Sequence, residues 1–467
     1  MKKYKHRMPF YRMASCDLGQ VIPVGLVEVL PGDVFRHSTS VFMRMSPLAT
    51  PVMHPIDVRV HHFYEPTRAL WERAGGTGTF EDFISGGEDG TDTQTVPTVN
   101  STGTVGDVLD YLGVGDTAGV PVSAIPLAMY NDIINNWYLD SDLGTERLWN
   151  DLTIARCAWA KDYLTSARPW PQRGSAVSLP LGTTAETTAP GAGGAGGLTV
   201  SRDADDQVFV DRSGNTVPLL ADLSSATATT VPDVRLAFAM QAYQELMARI
   251  GARYPEWLAR WGVHGVDGRL QLPEYLGGSE AMAQVSEVLQ TATGGTYGVG
   301  ELYGHGVSAL ASQPYERRFP EHGYVMTLLS VRPYSMYMDG APRTFLRQDR
   351  DDFFEPMFEG IGEQAVYNNE VYMQAGSAGD DVFGYQGRFD DYRHMMSGVS
   401  GEFRSVLDDW HLGRTFASAP ALNETFVTCT PSKRIFNEQV NHSLWIRARH
   451  SLSALRPVSP RAMTRPL

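Results

Sequence analysis

The chain has 467 residues, a formal charge of −14, and 42% hydrophobic and 10% aromatic residues. That length and apolar content suffice for a full core and exclude a disordered chain, and no run approaches the roughly eighteen apolar residues of a membrane span. The negative total argues against a protein that coats nucleic acid with its whole surface, since most of that surface repels phosphate.

The charge is unevenly placed. The first twelve residues, MKKYKHRMPFYR, carry five basic side chains and no acid, and residues 433–467 carry seven Lys or Arg against Glu438 alone. The body between is therefore more acidic than the chain as a whole. Basic ends on an acidic body suit a protein that holds a polyanion locally. Asp17, Gln20 and Pro23 interrupt any apolar stretch after the basic start, so it does not read as a secretory leader.

Residues 20–64 read as strands. QVIPVGLVEVLPGD ends in a Pro-Gly-Asp turn, DVFRHSTSVFMRM follows, and PIDVRVHHFYEP alternates Ile56, Val58 and Val60 against Asp57, Arg59 and His61. The second face of that strand is expected to be wet. Residues 75–120 are rich in Gly, Thr and Asp and read mostly as loop. Helical spacing appears in PLAMYNDIINNWYLD, with Leu127, Tyr130, Ile133, Ile134 and Trp137 on one face. It returns from Asp233 through Leu236, Met240, Tyr243, Met247 and Ile250, with Pro232 suited to the first turn and Gly251 to the end.

Between these helices, fourteen of the seventeen residues from Gly182 to Leu198 are Gly, Ala or Thr, too little to form a core. VFVDRSGNTVPLL then reads as a small hairpin. After Phe319, HGYVMTLLSVRPY suits a strand buried on both faces. NHSLWIRARHSLSAL alternates Leu444, Ile446 and Ala448 against Trp445, Arg447 and Arg449. Strands, a long mixed stretch, then strands suggest one β-domain interrupted by an insertion.

Catalytic and metal patterns are weak. Cys16, Cys157 and Cys429 are odd in number and far apart, with no zinc spacing, so neither a disulfide framework nor a metal site is expected, and a reducing compartment is. His61 and His62 are neighbours on a strand and point to opposite faces, which is poor for chelation. The carboxylates at Asp351-Asp352 with Glu355, Asp380-Asp381, Asp390-Asp391 and Asp408-Asp409 lack a spacing that specifies a glycosidase pair, and read as solvated faces. GGTYGVGELYGHG lacks the Lys-Ser/Thr of a phosphate loop. Asn135, Asn136, Asn368 and Asn369 read as loop-backbone partners. No catalytic constellation is visible. A jelly-roll carbohydrate-binding protein or glycoside hydrolase is the alternative class, given 20 Tyr and 9 Trp.

Several stretches resemble one family. They are MPFYRMASCDLGQVIPVGLVEVLPGD, IDVRVHHFYEPTRALW, KDYLTSARPWPQRG, EHGYVMTLLSVRP, GEQAVYNNEVY, FGYQGRFDDYR and DDWHL, running in order from residue 8 to about 430. They resemble the major capsid proteins of the Microviridae, small icosahedral single-stranded DNA phages, and most of all the gokushovirus-like branch. The tail after Thr430 resembles it poorly.

The resemblance implies a mainly β protein, an eight-stranded antiparallel jelly roll with large loop and helical insertions. Its barrel is expected from residues 13–65 and 319–467, with 66–318 inserted and 1–12 a basic arm. It implies a structural, non-enzymatic role without a cofactor, in a T=1 shell of sixty copies around a circular single-stranded DNA genome. Expected partners are further copies, the packaged DNA, small basic DNA-binding, scaffolding and minor (pilot) virion proteins, and a host receptor. The expected location is the virion, and the host cytoplasm during assembly. Residues 183–217, with Gly182, Gly191, Gly194, Gly197, Asp211 and Gly214, are expected as a surface protrusion near a threefold axis, used in attachment. Lys2, Lys3, Lys5, Arg7 and Arg12 are expected on the inner wall, against DNA or docked on a neighbouring subunit. Tyr4, His6, Phe10 and Tyr11 between them could stack on unpaired bases.

Overall fold

The computed structural model describes residues 2–85, 94–175, 271–292 and 298–460, with shorter segments between 186 and 250 and single positions at 256, 259 and 264. The chain divides into two compact units, Met1–Pro171 with Ile250–Leu467, and Gln172–Arg249.

The larger unit is built from antiparallel strands: β1 (Tyr4–Arg7), β2 (Phe10–Cys16), β3 (Val21–Val29), β4 (Val34–Met45), β5 (Ile56–Pro66), β6 (Glu274–Met282), β7 (Gln284–Leu289), β8 (Leu302–Ala311), β9 (Tyr315–Arg318), β10 (Gly323–Pro333) and β11 (Leu444–Arg456). One sheet runs β6–β5–β10–β3. The other runs β1–β11–β4–β8–β7, with β2 also on β11 and β9 also on β4. Ile22 and Val24, Ile56, Val58 and Val60, and Leu329 and Val331 from the first sheet pack with Val41, Met43, Leu444 and Ile446 from the second in one buried cluster. The alternation read in β5 and β11 sets this packing, because every second side chain points at the facing sheet.

The outer faces of the two sheets differ. On the β6–β5–β10–β3 sheet, Val21, Phe63, Met326 and Leu328 pack beneath helices α1 (Thr67–Arg73), α2 (Val108–Leu112) and α3 (Ile125–Ile133), through Leu70, Trp71, Leu109, Leu127 and Tyr130. The face of β5 expected to be wet is therefore half covered: Asp57, Arg59 and His61 are partly buried, and His61 Nδ1 lies 2.7 Å from the Tyr138 hydroxyl. α3 widens into a π-helical turn at Ile134–Tyr138, and Trp137 reaches the Pro273 carbonyl at 3.1 Å. On the second sheet, β4 and β11 instead alternate buried with exposed or half-exposed residues along nearly their whole length.

Two expectations about chain organisation need correction. Residues 1–12 are not a free arm preceding the first strand: Tyr4–Arg7 and Phe10–Cys16 both pair with Leu444–Arg456. The strand hydrogen bonds outweigh the charge of Lys5 and Arg7, which point away from the core. The insertion is shorter than 66–318, since residues 274–318 supply β6 to β9 to the two sheets. Gly304 and Gly306 hide this signal. In β8 they leave room for Leu48 and Met45, whose side chains would lie 3.0 and 2.4 Å from an added Cβ.

Polar groups lie between the sheets. His37 Nε2 is 3.1 Å from His450 Nδ1, His62 Nδ1 is 2.9 Å from Thr327 Oγ1, and His450 Nε2 is 2.9 Å from the Val24 carbonyl. The Phe10 ring stacks on His450 at 4.3 Å. Burial lowers the pKa of His37 to about 3 and of His450 to about 4, and holds His62 well below its usual value. His61 and His62 thus serve opposite faces of one strand. Cys16, Cys157 and Cys429 are buried free thiols; Cys429 donates its N–H to the Cys157 carbonyl at 2.8 Å, so the fold joins two cysteines far apart in sequence.

The carboxylate runs are not uniformly solvated. Asp391 is buried against Arg347, and Asp390 pairs with Arg393 at 3.6 Å and lies 2.9 Å from His394 Nδ1. These acids hold loops together. The asparagines do the same: Asn135 donates to the Arg147 carbonyl, Asn136 to Asp132, Asn368 to Ala378, and Asn369 accepts from the Gln374 N–H.

In the smaller unit, Val208–Arg212 pairs with Asn215–Pro218 as the expected hairpin, with Asp211 opposite Thr216, and Thr199–Arg202 adds a third strand. The helix spans Val231–Ile250, and its Leu236, Met240 and Tyr243 are exposed. Gly182, Gly191, Gly194, Gly197 and Gly214 lie outside the described residues.

Candidate nucleic-acid interface

The open sheet gathers basic and aromatic residues in rows. Register places Ser15, Trp445, Arg44 and Val307 side by side, then Met13, Arg447, Phe42 and Ala309, then Tyr11, Arg449, Ser40 and Ala311. Farther along lie Arg7, Ser453, Arg36 and Glu316, then Lys5, Leu455, Val34 and Arg318. Neighbouring strands are about 4.8 Å apart and alternate residues along a strand about 6.7 Å. With the Ser451–Ser38 row that lies between the third and fourth, these five rows form a continuous surface whose one acid is Glu316.

The side chains are available to a ligand. Tyr11 is 60% exposed and Trp445 50%, and Arg36, Arg44, Arg447 and Arg449 are exposed. Among the described residues, Arg44, Arg447 and Arg449 make no ion pair. Aromatic rings steady them instead: the Arg44 and Arg447 guanidinium groups sit 5.6 and 5.8 Å from the Phe42 ring centre, and that of Arg449 5.9 Å from Tyr11. Cations unpaired with carboxylates and rings with open faces together bind a single strand, the cations meeting phosphates and the rings stacking on bases.

The five residues picked from the N-terminal arm separate. Lys5 and Arg7 are exposed on β1 and join the open face. Lys2 is exposed, with its Nζ 5.4 Å from the Tyr4 ring centre. Lys3 bonds the Gly32 carbonyl, and Arg12 turns from the face to donate to the Leu112 carbonyl at 2.9 Å. Sequence reasoning missed Arg36, Arg44 and Phe42, though the period-two pattern of β4 carried the signal. Trp445, Arg447 and Arg449 were visible as one side of an alternating strand; their neighbours across the sheet were not.

The sequence model for the phage capsid protein (F protein) family matches residues 1–462. The chain belongs to this family. Capsid protein VP1 of Bdellovibrio phage phiMH2K is 33% identical over 473 aligned positions, which cover 88% of this chain and 85% of that protein. Capsid protein VP1 of Chlamydia phage 1 is 30% identical, covering 88% and 86%, and that of Spiroplasma virus 4 is 27% identical, covering 91% and 87%. The chain is thus a structural major capsid protein of the Microviridae type. For this capsid protein the open sheet is a candidate contact with packaged nucleic acid. Among the described residues no group of three or more His, Cys, Asp or Glu is placed to hold a metal, and no helix is long and apolar enough to cross a membrane.

Proposed function

We propose that sixty copies of this capsid protein close into a T=1 shell around circular single-stranded DNA, with the open sheet turned inward against the genome. The observation that carries this reading is the basic and aromatic face of β1, β2, β11 and β4, set on an otherwise acidic chain. The strand orders β2–β11–β4–β8 and β3–β10–β5–β6 support an eight-stranded jelly roll beneath it. Residues 183–217, which fall within the smaller compact unit Gln172–Arg249, serve as the outer loop for host attachment. Basic DNA-binding, scaffolding and minor virion proteins complete the assembly.

The test is DNA retention by particles carrying Arg44→Gln, Arg447→Gln and Arg449→Gln. A single strand loses affinity with salt at a slope of about 0.7 per neutralised phosphate, so removing three charges lowers the slope by about 2 per subunit. An unchanged slope refutes the inward placement of this face.

A further inference from the structure

The connection between β10 and β11 leaves a second surface unexplained. Phe345, Met357 and Met395 are 81%, 84% and 95% exposed, and Phe353, Ile361 and Tyr392 are more than half exposed. These residues are held by one braced structure. The Phe354 ring packs on Phe389 and Tyr392 at 5.1 and 5.9 Å, and the Arg347 guanidinium lies 4.3 Å from the Tyr392 ring centre. Glu359 pairs with Arg393 at 3.0 Å, tying the turn that bears Met357 to the segment that bears Met395. The backbone that carries these exposed apolar groups is thus held in place.

At about 200 Å² per large side chain, these six leave on the order of 800 Å² of largely apolar surface in water. A monomer rarely exposes more than a few hundred Å² in one patch. One partner's share of a standard protein interface is about 800 Å². Asp349, Asp351 and Glu355 are exposed on the same segment, with Arg350 between them and Glu359 paired to Arg393, so the margin is more acidic than basic and disfavours phosphate.

We propose that this patch is a contact with a second copy of the chain, buried when the shell forms. The area matches one side of a pairwise interface, and a capsid protein's neighbours in a shell are its own copies. The proposal rests on the shell reading above. It adds where one subunit contact lies and which side chains anchor it: Phe345, Met357 and Met395.

Methionine oxidation reads the contact directly, because peroxide converts exposed thioethers to sulfoxides and spares covered ones. Particles assembled from this chain alone, complete virions and dissociated chain are each treated with dilute hydrogen peroxide and digested, and the sulfoxide at Met357 and Met395 is quantified. Buried Met43 and Met326 report any unfolding. The expected result is at least tenfold slower oxidation of Met357 and Met395 in both kinds of particle than in dissociated chain. Equal rates in particles and dissociated chain overturn the contact and leave the shell intact. Protection in complete virions but not in particles of this chain alone also overturns it, and identifies another virion protein as the occupant. A chain that forms no particle even when produced together with its scaffolding proteins overturns the shell reading and the contact together. In a second arm, Phe345→Ser with Met357→Gln and Met395→Gln lowers particle yield at least tenfold while the dissociated chain keeps its melting temperature. Wild-type yield from that variant overturns the proposal.

Discussion

Acid should destabilise the fold of the dissociated chain, through the histidines sealed between its two sheets. His37, His62 and His450 are neutral in the folded protein because burial resists their charging, with His37 near 3, His450 near 4 and His62 well below its usual value. Unfolding restores each to about 6.5. The unfolded chain therefore binds more protons, so stability is complete above pH 6.5 and falls as pH drops toward the folded pKa values. At pH 5 His37 and His450 are still almost wholly neutral in the fold but almost fully protonated when unfolded. Each then removes about 2 kcal/mol relative to pH 8, about 4 kcal/mol for the pair, a large share of the stability of many domains, and His62 acts in the same direction. His54 and His61, also lowered to about 4 by burial, add to the same trend. Urea unfolding followed by tryptophan fluorescence at pH 8 and pH 5 measures the loss. His450→Gln lowers stability at pH 8, because a bond to the Val24 carbonyl and the Phe10 stack are lost, but it shrinks the difference between the two pH values by about 2 kcal/mol. An unchanged difference in that variant refutes the assignment to this cluster.

Arg12→Gln should cost about 1–2 kcal/mol of stability by urea unfolding, through its lost bond to the Leu112 carbonyl, while DNA retention by particles stays at the wild-type level. Gly25→Ala should cost about 1–3 kcal/mol, read as a lower melting temperature, because the added methyl meets the His450 ring at 2.6 Å. Replacing residues 182–198 with a short linker should preserve particle yield and reduce attachment to host cells; loss of particles in sedimentation would make the segment a subunit contact.

The core was legible where one chemical pattern dominated. Ile56, Val58 and Val60 alternate with polar residues and are buried as that pattern requires, and the apolar run of β10 is buried on both faces. β1 was obscured by its charge: Lys5 and Arg7 look like a free arm until Tyr4 and His6 are seen to alternate with them. β6 to β8 were obscured by glycine and polar residues, whose place in a strand depends on a neighbour such as Met45 filling the space. The interface was half legible. Alternation assigns Trp445, Arg447 and Arg449 to one face, but joining them to Arg44 and Tyr11 needs the cross-strand register, set by partners hundreds of residues away.

Ultraviolet cross-linking of intact particles, with mass spectrometry of the nucleotide-bearing peptides, tests the inward placement of this face most directly. Tyr11 and Trp445 present exposed rings to a stacked base, and half-buried Phe42 lies between them under Arg44 and Arg447, so the account predicts adducts on peptides from residues 10–16, 34–45 and 444–456. Adducts confined to other segments, with these three peptides unmodified in filled particles, would contradict it.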